Sequence, residues 1–177
     1  MGQQIAAKRK IGWVSTDLLI EILRAKKVEG TKVEWDATPQ AVAANAEWFF
    51  PCLERFVSGV SSLAEGYVIE GVDFLPAQIA QLAARYQVRS VFLGCSKMTL
   101  VRFDRFPGRS QGYARLPREV RRQFAKEIPL WSEFIGQEAE RFGYPYVDTS
   151  DDFYVRLSEA DALLLADSVP RGRDRNV

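Results

Sequence analysis

Tyr67-Val68-Ile69-Glu70-Gly71-Val72-Asp73-Phe74-Leu75-Pro76 is the stretch whose reading decides the fold. A short apolar run stops at a carboxylate and a glycine, and Pro76 then opens a helix. A run of this length with these flanks predicts a buried parallel strand. Glu70 then lies at the carboxyl end of that strand, where open α/β sheets bind their ligands. That placement points to a phosphate or a metal-phosphate site.

On either side, strands and helices alternate. Ile5 to Lys10 reads as the end of a helix with a basic last turn, closed shortly afterwards by Gly12. Trp13-Val14-Ser15 is a brief strand, and Ser15 or Thr16 is suited to cap the helix that follows. Leu18, Leu19, Ile22 and Leu23 are expected to share one face of that helix. Thr38-Pro39 starts another helix, with Val42, Ala46, Phe49, Leu53, Phe56 and Val60 as its apolar stripe and Pro51 as a kink. After the strand at 67–69 come a helix over 76–86, a strand over 90–94 and a helix over 96–106. A Gly- and Arg-rich loop over 107–117 leads into a Pro-interrupted helix over 117–142. A strand over 144–148 and an amphipathic helix over 151–166 complete the pattern. The expected fold class is α/β, with a parallel sheet covered by helices on both faces. Residues 1–167 are expected to form a single domain, and the charged tail at 168–177 to be disordered.

The chain has 177 residues, 47% of them hydrophobic and 27% charged, enough for one domain with a real core. No apolar stretch approaches the ~20 residues that span a bilayer, and Met1 to Arg9 is no signal peptide, so no membrane partner and a cytoplasmic location are expected. Cys52 and Cys95 lack CxxC spacing and sit among apolar neighbours, as plain buried thiols do. There is no histidine, which excludes His-based triads, HExxH zinc sites and imidazole proton shuttles. Catalysis would have to run on carboxylates, Arg, Lys, hydroxyls or a bound ion. A net charge of +1 gives no global drive toward nucleic acid.

Three features could carry chemistry. Asp17 follows a strand and opens a helix, where an acid also favours the helix dipole. Glu70 sits at a comparable strand end but has little capping use. Two carboxylates on one rim of a sheet suit a magnesium-bound phosphate, or a base beside an acceptor hydroxyl. The third feature is a run of seven arginines within 21 residues: Arg102, Arg105, Arg109, Arg115, Arg118, Arg121 and Arg122. Arg102 and Arg105 face the same way on a helix. Arg109 and Arg115 lie in a loop, where a solvated helix face is no explanation. Arginine is favoured where oxyanions are gripped bidentately, so the cluster reads as phosphate binding, with surface charge and salt bridges as the bland alternative. RNA contact through this segment lacks a supporting motif. Trp13, Trp35, Trp48 and Trp131 read as core or pocket wall rather than base-stacking platforms. The loop from Asp148 to Asp151 also reaches the expected ligand rim.

In order and spacing these parts resemble a P-loop nucleoside- or small-molecule-kinase domain, similar to adenylate kinases and 2-phosphoglycerate-kinase-like proteins, over about residues 3–166. Ser15-Thr16-Asp17-Leu18-Leu19 resembles the family's second strand and acceptor-site helix. Ile69-Glu70-Gly71 resembles its third strand, whose terminal acid approaches the magnesium-phosphate group. Arg102 and Arg105 match arginines just before the lid, and 107–117 matches a short lid. Tyr146-Val147-Asp148 resembles the last strand, whose following loop lies near the adenine.

The resemblance implies a three-layer sandwich and an ATP- and Mg2+-dependent phosphotransferase (a kinase) for a small-molecule acceptor. Asp17, Glu70, Arg102 and Arg105 would be catalytic, with Glu70 serving the metal. Arg109, Arg115 and Arg118 would bind substrate phosphate, and Asp148 and Thr149 the nucleotide. The chain departs from the pattern in having no G-x-x-x-x-G-K-[ST] loop. On this reading the central first strand and that loop, ~20 residues, are missing upstream, and the chain as given is expected to be inactive. Ile20 stands where an arginine often follows the Asp-Leu-Leu element, which counts against acceptor-phosphate binding at that position, and Phe74 stands where adenylate kinases carry an arginine, which argues against an AMP acceptor. The absent strand would fall between those at 67–69 and 90–94, leaving them ~9.6 Å apart unless they collapse together. The other reading is a degenerate, non-catalytic kinase-like module that binds an anion or a protein.

Overall fold

The structure is a computed structural model that describes residues 1–26, 29, 38–63, 65–105 and 115–165. Within them run α1 (Gly2–Arg9), β1 (Gly12–Ser15), α2 (Thr16–Ala25), α3 (Pro39–Val60), β2 (Tyr67–Glu70), α4 (Pro76–Ala83), β3 (Phe92–Gly94), α5 (Leu100–Arg105), α6 (Arg118–Arg141), β4 (Tyr146–Asp148) and α7 (Phe153–Leu165). The protein is α/β with parallel strands. The tail at 168–177 and nearly all of the expected lid lie outside the described residues.

Among the described residues the strands form two parallel pairs rather than one sheet. β1 pairs with β2 in the register Gly12–Tyr67 to Ser15–Glu70, and β3 pairs with β4 from Phe92–Tyr146 to Gly94–Asp148. β2 and β3 are joined in the chain through α4. They nevertheless do not pair with each other. The alternative in which these two strands collapse together is not what the structure shows. Nor is β2 the fully buried strand its sequence predicts: Tyr67 is exposed and Val68 to Glu70 are half-buried. Burial on both faces and both edges needs neighbours on each side, and β2 has a strand on one side only.

The core is assembled from helices across both pairs. Ile20 of α2, Phe49, Leu53 and Val57 of α3, Ile79 and Leu82 of α4, Phe92 of β3, and Ile135 and Ala139 of α6 pack together. The α3 stripe holds from Val42 to Leu53. It then passes to Val57 rather than to the expected Phe56 and Val60, which are only half-buried. On α2 the expected face is rotated: Ile20 is buried, Leu19 and Leu23 pack at the margin, and Leu18 and Ile22 are more than half exposed. Thr16, itself fully buried at the start of α2, sets that rotation by turning toward Asp73.

Local signals explain most element ends. Thr38 Oγ1 accepts the Ala41 N–H at the head of α3, with Pro39 next in line. Gln78 Oε1 accepts the Leu75 N–H ahead of α4, and its Nε2 donates to the Ala46 carbonyl of α3. α1 ends at Lys10 in the left-handed conformation (φ 56°, ψ 41°), two residues before the expected Gly12. Lys8 and Arg9 of α1 reach Asp161 of α7 at 3.1 and 3.6 Å, tying the helix on the β1–β2 pair to the helix on β4.

Candidate functional site: a carboxylate rim at the strand ends

Asp17 and Glu70 do come together. β1 and β2 are parallel and in register at Ser15–Glu70, so the first turn of α2 and the last residue of β2 share one rim. The Asp17 carboxyl is pushed above the ordinary carboxylate range, first by partial desolvation and then by the Glu70 charge, with Arg24 opposing. Asp17 stays on the exposed side of the rim. Glu70 Oε2 accepts the Gly2 N–H at 2.8 Å, placing the start of α1 against this carboxylate. The Trp13 indole N–H is buried beside Gly2 with no acceptor among the described residues, an orphan donor at the same spot.

Behind the rim is a buried polar group that sequence reasoning missed. Asp73 is 4% exposed; its Oδ2 accepts the Thr16 hydroxyl at 2.8 Å and its Oδ1 the Asn45 amide N–H. Desolvation raises the Asp73 carboxyl, the Thr16 hydrogen bond lowers it, and the charge of Asp17 raises it again. Gly71 is what lets the two segments close: a Cβ there would lie 1.7 Å from Thr16 Oγ1. The expected capping hydroxyls therefore do other work. Ser15 makes no side-chain cap, and Thr16 donates to Asp73 instead. The available signal was an acid three residues beyond Glu70, in a segment too short to be solvated on all sides.

A second polar cluster lies at the ends of β3 and β4. Asp148 accepts hydrogen bonds from the Ser96 N–H (3.2 Å), the Ser150 N–H (2.9 Å) and the hydroxyls of Ser150 (2.5 Å) and Ser96. Desolvation pushes its carboxyl up, but these hydrogen bonds outweigh it and hold the pKa at about 2. Thr149 is buried and spends both its N–H (2.8 Å) and its hydroxyl (2.7 Å) on the Gly94 carbonyl. Tyr146 is pushed up to about 12, first by desolvation and then by the charges of Asp148 and Cys95.

The arginines divide. Arg102 donates to the carbonyls of Thr149 (3.0 Å), Ser150 and Asp151 (3.3 Å), so it grips the loop after β4. Arg121 pairs with Asp104. Arg105, Arg115 and Arg118 are exposed, at the end of α5, just before α6 and at its first residue. Arg109 lies outside the described residues. Both cysteines are half-buried rather than buried.

Among the described residues no three His, Cys, Asp or Glu side chains gather as a ready cation cage. Mg2+ in phosphoryl-transfer sites takes only one or two carboxylates, with water and substrate phosphate filling the rest, and Glu70 with Asp17 fits that donor set. The triphosphate fits less well, because the sequence has no G-x-x-x-x-G-K-[ST] phosphate loop. No helix among the described residues is long and apolar enough to cross a membrane. No protein-family model, curated protein or solved structure matches the chain.

Proposed function

We propose that the rim formed by Asp17 and Glu70 is the metal- and acceptor-facing part of an ATP- and Mg2+-dependent phosphotransferase site for a small molecule. The observation that carries this reading is the pairing of the two acids at adjacent strand ends, with the exposed Asp17 raised by partial desolvation and by the Glu70 charge. A raised carboxyl is suited to take a proton from an acceptor hydroxyl, and Glu70 to hold the hydration shell of the metal. The exposed Arg105, Arg115 and Arg118 would meet substrate phosphate, and the loop at Asp148 and Thr149 the nucleotide. Lacking a phosphate loop, the 177 residues are expected to hold ATP weakly and transfer little phosphate.

The test is Mg-ATP affinity of this chain against a version carrying a designed strand and G-x-x-x-x-G-K-[ST] loop ahead of Met1. At least tenfold tighter binding by the extended protein, lost again in Glu70→Gln, is expected. Equal affinity of the two versions overturns the proposal.

A second reading, a non-catalytic module of the same architecture that binds an anion or a protein, draws support from Arg102. Its guanidinium is engaged by three carbonyls and holds a loop together. Under that reading the extended version gains affinity for ATP while phosphate transfer to any acceptor stays at background.

A further inference from the structure

The long helix α6 carries its charges in an order that helix electrostatics disfavours. Arg118, Arg121, Arg122 and Lys126 lie over 118–126 against Glu119, and Glu133, Glu138 and Glu140 over 133–141 against Arg141. A helix dipole favours acids at the amino end and bases at the carboxyl end, so the helix alone gains nothing from this polarity. Glu119, Arg122, Lys126, Leu130, Glu133, Gln137 and Glu140, spaced three or four apart, make one exposed stripe along it. Leu130, at the middle of the stripe, is 54% exposed. Arg121 pairs with Asp104, but among the described residues neither Arg122 nor Lys126 has an ion-pair partner. Beside the acidic half opens a hollow of about 700 Å3, lined in part by Glu133, Gln137 and Glu140 of α6 and by Tyr146 and Asp148 of β4. Its lining holds three carboxylates and no cationic side chain.

We propose that α6 docks on α6 of a second copy of this chain, antiparallel, about a two-fold axis at Pro129–Leu130. About that axis Lys126 faces Glu133 of the second copy. Arg122 faces Gln137, with Glu133 and Glu140 one turn to either side, at the mouth of the hollow. The two-fold makes each contact twice, and Leu130 meets its own counterpart on the axis. At each outer end Glu119 meets Glu140, with Arg118 and Arg122 beside the pair. The two macrodipoles run in opposite senses, so a polarity unfavourable within one helix becomes favourable across two. An acidic partner of another kind would answer the basic half alone and leave the carboxylates of the hollow uncovered. A head-to-tail contact between copies would leave one half open at each end of a growing chain. An antiparallel second copy answers both halves and closes. Exposed ion pairs are individually weak, so the dimer is expected to be salt-sensitive, with a Kd on the order of 10–100 µM. The surface uses neither Asp17 nor Glu70, does not rest on the phosphotransfer reading, and its test contains no nucleotide.

The test is sedimentation equilibrium of the full chain, up to about 300 µM protein, at ~0.05 M and ~0.5 M salt. The wild type is expected to dimerise at low salt and at least tenfold more weakly at high salt. Lys126→Glu and Glu133→Lys, each alone, set like charges against each other twice across the axis and are expected to weaken the dimer at least tenfold. An equimolar mixture of these two variants is expected to regain the dimer, because opposite charges then face each other at both contacts. The double variant Lys126→Glu/Glu133→Lys is expected to regain it with itself. These two recoveries separate loss of docking from loss of folding. A wild type that stays monomeric throughout, single variants that dimerise as tightly as the wild type, or a mixture that does not recover overturns the proposal. So do assemblies that grow beyond two copies, since a two-fold contact closes.

Discussion

Asp148 ends β4 and Asp73 lies three residues beyond β2, and their surroundings drive them in opposite directions. Asp148 is lowered, so its contribution to stability is complete above the ordinary carboxylate range, ~4, and is lost as pH falls toward about 2. Asp148→Asn is therefore expected to lower stability at neutral pH, with the gap to wild type closing between pH ~4 and ~2 in urea titrations. A gap independent of pH would contradict this. Asp73 is raised, so folding favours its protonated form and stability falls as pH rises through its folded-state pKa. Thr16→Val removes a hydrogen bond that favours the charged form. It should cost ~1–3 kcal/mol at neutral pH, and less in acid, by the same titration. Gly71→Ala drives a methyl into Thr16 Oγ1 and is expected to cost a further ~1–3 kcal/mol. Of these residues the sequence made only Asp148 legible as a site candidate. Asn45 is 28 positions from Asp73 and meets it only through tertiary packing.

Among the elements, those announced by local chemistry were the ones read correctly. Thr38-Pro39 opens α3, Pro76 opens α4, and the acid after the apolar run ends β2. Helix faces were harder to read. α2 carries apolar residues at consecutive positions, and the buried Thr16 decides which of them turn inward. The end of α1 falls where the sequence placed it, but its closing residue is Lys10 in the left-handed conformation, not Gly12. That conformation is unfavourable for a residue with a Cβ. Lys10→Gly is accordingly expected to stabilise the protein by ~1 kcal/mol in thermal or urea unfolding. A destabilised variant would show that the Lys10 side chain matters more than its backbone.

At the scale of the molecule, the sequence announced parallel strands with helices between them, but not their division into two pairs. Pairing depends on which edges find partners, and neither the hydrophobic period nor a turn signal encodes that. The same division puts one pair of acids at the ends of β1 and β2, and the serine-bound Asp148 at the ends of β3 and β4. The arginine cluster, legible as a run, separates among the described residues into Arg102 and Arg121, which hold other parts of the chain, and the exposed Arg105, Arg115, Arg118 and Arg122. The central claim is that the Asp17–Glu70 rim receives a magnesium-bound phosphate. The most direct measurement is backbone amide NMR during titration with Mg-ADP, on the wild type and on Asp17→Asn and Glu70→Gln. Shifts should concentrate at residues 15–18 and 70–73 and weaken in both variants. Shifts lying elsewhere, or unchanged by either substitution, would contradict it.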